Sequence, residues 1–212
     1  MIFRRAQMKT KRKIVYLFLA LAMILSLGAC VTGSGTTAKP TPEATQGDRI
    51  ENATVEVVRS AAPLKTAYDN VVLKSFVAPE PFKTDYPDVA DTCKFAVISH
   101  LRTLKAFAKV VEDAGQKFSG KTLLVDGQIE DMRIASTAAR IWGGAFAGSS
   151  FMNIRIRLTD AATGKVVQEK VIASSANAFA AAWNFGASDK SMPSDMGKII
   201  GEYLATIASG KK

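Results

Sequence analysis

Between Asn153 and Ala173 the chain alternates more regularly than anywhere else. Ile154, Ile156 and Leu158 are interleaved with Asn153, Arg155, Arg157 and Thr159; Asp160-Ala161-Ala162-Thr163-Gly164 then interrupts the run before Lys165 resumes a strand to Ala173. Successive strand side chains point to opposite faces, so this pattern needs a sheet with one apolar and one wet face. Turn chemistry between two such runs makes it a β-hairpin. A hairpin alone is marginal in water, so the rest of the chain has to supply more strands and an apolar layer for the dry face.

The other periodicities supply both. Tyr68 to Val77 is β-branched and aromatic, bounded by Pro63 and Pro79 and apolar on both sides, as a central strand is. From Val89 to about Leu104 the spacing becomes helical, with Ala90, Cys93, Val97, Leu101 and Leu104 on one stripe behind a Pro87-Asp88 entry. Phe107 to Glu112 reads as a strand stopped by Asp113-Ala114-Gly115. Lys121 to Ile134 alternates as a long strand in which Gly127 marks a close neighbour. Met196, Ile199, Ile200, Tyr203, Leu204 and Ile207 form one stripe of a C-terminal helix, capped by Ser194 or a neighbour and followed by Gly210. The expectation is an α+β fold: a mixed sheet of four to six strands with two main helices packed on it.

The N-terminus is of another kind. Six basic residues (Arg4, Arg5, Lys9, Lys11, Arg12, Lys13) precede an apolar run from Ile14 to Leu27, then Gly28-Ala29-Cys30. Fourteen helical residues rise only ~21 Å, against ~30 Å of hydrocarbon, so the run suits an export signal better than a membrane span. Leu27-Gly28-Ala29-Cys30 resembles the lipobox of bacterial lipoproteins, which implies a diacylglycerol on the Cys30 sulfur. From Val31 to Asp48 only small, polar and Pro residues follow Val31. Such a stretch is a flexible tether with a root-mean-square reach of roughly 20–25 Å. The expected organisation is a signal peptide (1–29), an acylated tether (30–48) and one domain (49–212). Val31 directly after the cysteine is not the aspartate that commonly retains lipoproteins at an inner membrane, so the periplasmic face of the outer membrane is expected.

Charge and cysteine content narrow the functions. Six of the 28 basic residues and none of the 19 acidic ones precede Cys30, leaving 22 against 19 and a net charge of +3. That balance gives no argument for nucleic-acid binding. With Cys30 acylated, Cys93 is the one remaining thiol; its place on the helix stripe makes it a packing residue, and no intramolecular disulfide can form. The single His100 lies at the edge of that stripe as a satisfied or exposed structural residue.

No catalytic constellation is expected. Trp142-Gly143-Gly144-Ala145-Phe146-Ala147-Gly148-Ser149-Ser150 lacks the Gly-Lys-Ser/Thr ending of a phosphate loop and precedes a strand rather than a helix. There is no nucleophile elbow and no metal-spaced His/Cys cluster. Asp126, Glu130 and Asp131 read as a solvated carboxylate face. No metal or cofactor is expected, and the chain is read as a non-enzyme. Aromatic chemistry remains: Arg140, Trp142, Phe146, Phe179, Trp183 and Phe185 fall in two segments of weak strand or helix character. Aromatics on loops are enriched at protein interfaces, so these are the candidate partner-binding residues. The alternative, that they close the core beneath two loops, stands beside it.

Arg140-Ile141-Trp142-Gly143-Gly144-Ala145-Phe146-Ala147-Gly148, followed by the hairpin from Ile154 to Val167, is similar to the bacterial lipoprotein domain of unknown function 4410. Leu124 to Glu130 and the terminal helix sit in the order that resemblance expects, so it covers roughly Tyr68 to Ala208. It implies an envelope protein and no activity. More distantly, the element order is similar to the N-terminal domain of the Tol–Pal β-propeller protein and to lipoprotein activators of penicillin-binding proteins, which are interaction modules. The expectation is a membrane-anchored, non-catalytic module docking on an envelope protein, with a carrier of an amphipathic or cell-wall ligand as the alternative.

Overall fold

Six strands, β1 (Arg49–Ile50), β2 (Asn70–Val77), β3 (Lys109–Glu112), β4 (Thr122–Arg133), β5 (Phe151–Asp160) and β6 (Val166–Ser175), form one mixed sheet in the order β1-β6-β5-β4-β2-β3. The computed structural model describes residues 48–112, 115, 119–134, 150–176 and 189–210. Among these are four helices, α1 (Val55–Arg59), α2 (Glu80–Asp85), α3 (Val89–Leu104) and α4 (Met192–Ala208). Strands β4, β5 and β6 run antiparallel, β2 runs parallel to both β4 and β3, and β1 runs parallel to β6. The fold is thus α+β, with its sheet at the upper end of the expected size.

Alternation places the core. Leu123, Val125 and Ile129 of β4 and Met152, Ile154, Ile156 and Leu158 of β5 are buried in one cluster with Cys93, Val97 and Leu101 of α3 and Met196, Ile200, Tyr203 and Leu204 of α4. Each such aliphatic side chain contributes ~1.5–3 kcal/mol on leaving water. On β2, Val71 and Leu73 pair with Leu123 and Val125, while Val72 is buried on the opposite face, as suits a strand lying between β3 and β4. Gly127 is the close approach its sequence suggested: a Cβ there would lie 2.8 Å from Phe76 Cδ1.

Two glycines hold the helix layer together. A Cβ on Gly197 would stand 2.4 Å from the Cys93 carbonyl oxygen and 2.5 Å from Ala96 Cβ, and one on Gly201 would stand 3.0 Å from His100 Cδ2. The absent side chains let α4 settle directly onto α3. At the hairpin tip, Asp160 Oδ1 accepts from the N–H of Ala162 (3.1 Å), the N–H of Thr163 (2.8 Å) and Thr163 Oγ1 (2.9 Å), and Gly164 takes φ +66°. These bonds, the Thr163 N–H first, hold the Asp160 carboxyl below the usual range. Tyr68 donates its hydroxyl to Asp160 Oδ2 (3.2 Å), tying the tip to the approach to β2.

Several expectations change in detail. α4 starts at Met192 behind Ser191, not behind Ser194, because Pro193 is accommodated in a first turn, where its missing N–H costs nothing. Ser191 donates its hydroxyl to Asp195 Oδ2 (2.6 Å). Leu104 is 39% exposed, because α3 ends there and Lys105 turns the chain with φ 51°. The helices α1 and α2 were not expected; at 5 and 6 residues they are too short to show a period. Thr54 caps α1 by accepting from Val57 N–H (3.2 Å), and Pro79 precedes α2. Asp113 and Ala114 of the expected turn lie outside the described residues, while Gly115 has φ +66°.

Candidate interaction site

Three strand ends meet at one end of the sheet. Arg133, at the end of β4, pairs with Phe151, at the start of β5, and Phe151 pairs with Ser175, at the end of β6. The ladder continues one step further, where Ala176 N–H donates to the Ser150 carbonyl (2.8 Å). Residues 135–149 therefore leave and rejoin the sheet, and residues 177–188 leave it, at adjacent positions. The candidate partner-binding residues belong to these two segments: Arg140, Trp142 and Phe146 to the first, Phe179, Trp183 and Phe185 to the second. All six lie outside the described residues, as does Cys30.

Beside this end lies a mainly apolar cleft of about 350 Å³, walled by Tyr86, Pro87, Val89, Ile134, Lys190 and Pro193. Ile134 is also the last described residue before the first segment, and Lys190 lies one residue beyond Asp189, to which the second returns. Tyr86 donates its hydroxyl to the Ile134 carbonyl (3.4 Å), fixing the wall of the cleft to the end of β4.

The perturbed carboxylates are engaged elsewhere, in structural bonds. Glu202 on α4 is buried, accepting from Arg59 Nε (2.7 Å) and bonded to His100 Nε2 (2.8 Å). Burial pushes its carboxyl up, but the bonds from Arg59 and His100 outweigh burial and hold it below the usual range. His100 is thus a satisfied structural histidine that joins α3 to α4. On the helix-free face, Arg155 donates to Glu130 (2.6 Å) and Glu169 (3.0 Å), and Arg157 donates to Glu169 (2.8 Å). The Arg157 bond leads in holding Glu169 low, against burial. Glu130 is therefore paired rather than merely solvated, while Asp131 is exposed and Asp126 accepts from Ser75 N–H (3.5 Å). Cys93 is fully buried, and burial pushes its thiol far up, which leaves it unreactive. Among the described residues no group of three or more His, Cys, Asp or Glu could hold a metal ion.

Sequence reasoning missed two polar side chains in a second cleft, of about 480 Å³, between β6 and α1: Gln168 and Tyr203. Tyr203 looked like one more member of the α4 stripe, and burial pushes its hydroxyl up to about 12. The one available signal was Gln168, a polar residue at a core-facing position paired with Leu158.

Comparison with known proteins gives a family and no activity. No curated protein matches the chain. Among solved structures, a point variant of the PelC dodecamer from Paraburkholderia phytofirmans is similar at TM-score 0.47 and 17% identity, over 72% of this chain and 95% of that one. A second PelC dodecamer structure from the same organism gives 0.45 and 15%, over 71% and 96%. Protein XCC0632 from Xanthomonas campestris, described with the family DUF330, gives 0.42 and 13%, over 69% and 87%. The family described as domain of unknown function DUF4410 matches residues 49–181, and the chain belongs to that family.

Proposed function

We propose that this chain is a lipoprotein of the bacterial envelope, anchored through acylated Cys30 at the periplasmic face of the outer membrane, and that it acts as a non-catalytic module docking on another envelope protein. The observation that carries this reading is the convergence of the strand ends. Two segments holding five aromatic residues are rooted at adjacent points, through the pairs Arg133 with Phe151 and Phe151 with Ser175. A rigid sheet edge that roots two aromatic segments together can offer one contiguous anchor patch, and a few aromatics in such a patch carry most of an interface's energy. The engagement of Glu202, Glu169 and Asp160 in structural bonds favours this role over catalysis. A tether of the composition found in residues 30–48 would let such a module search a partner's surface without leaving the membrane.

The test compares wild type with Trp142→Ala and Trp183→Ala in two assays, co-purification from cross-linked membranes and thermal melting. Docking residues lose the partner and keep the melting point. Buried tryptophans would cost ~3–5 kcal/mol each, a drop of roughly ten degrees at ~2–4 °C per kcal/mol. That outcome in both variants would overturn the docking role of these positions.

A further inference from the structure

Two polar groups without partners meet in the cleft between β6 and α1. Gln168 Oε1 is buried and makes no hydrogen bond. Tyr203 is only 1% exposed, and no described residue bonds its hydroxyl. Both line the cleft, whose other walls include Ile50, Val57 and Ala61. A buried polar group left unsatisfied is costly and rare enough in folded proteins to need a reason.

Among the described residues, the neighbouring strand edge is also open. β1 pairs with β6 at Val171 and Ile172 alone. The Ala173 carbonyl accepts from Ala53 N–H (2.8 Å) on that same side. Main-chain groups alternate in direction along an antiparallel strand, so Val171 and Glu169 present theirs to this side too. Val171 meets β1, whereas Glu169 lies beyond its end. Val166 and Val167, further along the same edge, are 54% and 40% exposed. A bulge at Leu158/Thr159 disturbs the ladder opposite them, which centres any added pairing on Glu169.

We propose that this cleft binds an extended, uncharged peptide segment of a partner protein, laid along β6 as an added strand. The Gln168 amide offers an acceptor and donors that match the N–H and C=O of a peptide bond, and the Tyr203 hydroxyl can serve either group. Main-chain pairing at Glu169 would give affinity, and the aliphatic walls would take a β-branched side chain. The rim favours an uncharged ligand, because Arg49 is already paired with Glu51, Lys170 is itself engaged, and Glu169 is held by Arg155 and Arg157. This site is separate from the aromatic segments and stands or falls independently of their docking role.

The test titrates a fluorescein-labelled acetyl-Val-Thr-Val-Thr-Val-amide peptide against the full chain in detergent micelles, read by anisotropy, with a Gly-Ser peptide of equal length as control. Saturable binding of the Val-Thr probe is expected, weakened at least tenfold by Gln168→Leu and by Tyr203→Phe. Both variants should melt at or above the wild-type temperature, since each removes an unpartnered polar group while keeping most of the side chain's volume. No saturable binding at millimolar probe would overturn the proposal, as would binding that both variants keep. Concentration-dependent dimerisation abolished by Gln168→Leu would make a second copy the occupant and overturn it as well.

Discussion

Gly197→Ala should be one of the most damaging single-methyl additions in the domain. The new Cβ would lie 2.4 Å from the Cys93 carbonyl oxygen, 2.5 Å from Ala96 Cβ and 3.1 Å from Val97 N. Two of these neighbours are backbone atoms of α3, so no side-chain rotation relieves the contact and the helices have to separate. Overpacking of this kind costs ~1–3 kcal/mol, and a rigid backbone neighbour puts this site at the upper end. Alanine returns about 1 kcal/mol through its better helix propensity. The net loss is about 2 kcal/mol, or ~4–8 °C in melting temperature for a domain of this size. Gly201→Ala is the internal control: its nearest neighbour is the His100 side chain at 3.0 Å, which can move, so propensity and crowding nearly cancel. Thermal melts followed by circular dichroism, with urea midpoints alongside, measure both. A Gly197→Ala protein that melts at or above wild type would refute the packing argument.

Acid sensitivity should follow Glu202. Its folded pKa is depressed, so the stability it contributes is present above the unfolded glutamate value near ~4.3 and is lost as pH falls through the folded value. Glu202→Gln should cost about 1–2 kcal/mol at pH 7, since Arg59 is partly exposed and its bond is screened. The difference from wild type should shrink below pH 4 in urea titrations. A loss that is the same at pH 7 and pH 3 would show that the charge is not responsible. Asp160→Ala should lower the melting point and speed amide exchange at Ala162 and Thr163, whose N–H groups lose their acceptor; unchanged exchange there would contradict the role given to the turn. Cys30→Ser should abolish incorporation of a clickable fatty acid and leave an unprocessed precursor, so undiminished labelling would remove the lipid anchor from the account.

Elements that declare a long period were legible in the sequence. α3 runs from Val89 to Leu104 as its apolar spacing indicates, and the β5–β6 hairpin turns at Asp160 to Gly164 as its turn residues indicate. The elements that were not legible are short or set by tertiary contact. β1 is two residues long and is a strand only because Arg49 and Ile50 pair with Val171 and Ile172. Gly197 and Gly201 lie in an otherwise apolar helix, and only the approach of α3 gives them a purpose. Glu202 went unmarked in the sequence, yet it is 6% exposed, because Arg59 and His100 arrive from sequence positions far away. Gln168 illustrates the same limit for binding residues, since its lack of a partner is visible only once the fold has placed it.

The central claim is that the segments rooted at Ile134 and Ala176 meet a partner. Photo-cross-linking in intact cells tests it most directly, with p-benzoylphenylalanine placed in turn at Trp142, Trp183 and Phe95, the last being 58% exposed on α3. The account predicts that positions 142 and 183 capture the same discrete envelope protein and that position 95 does not. Equal capture from all three positions, or none from 142 and 183, would contradict it.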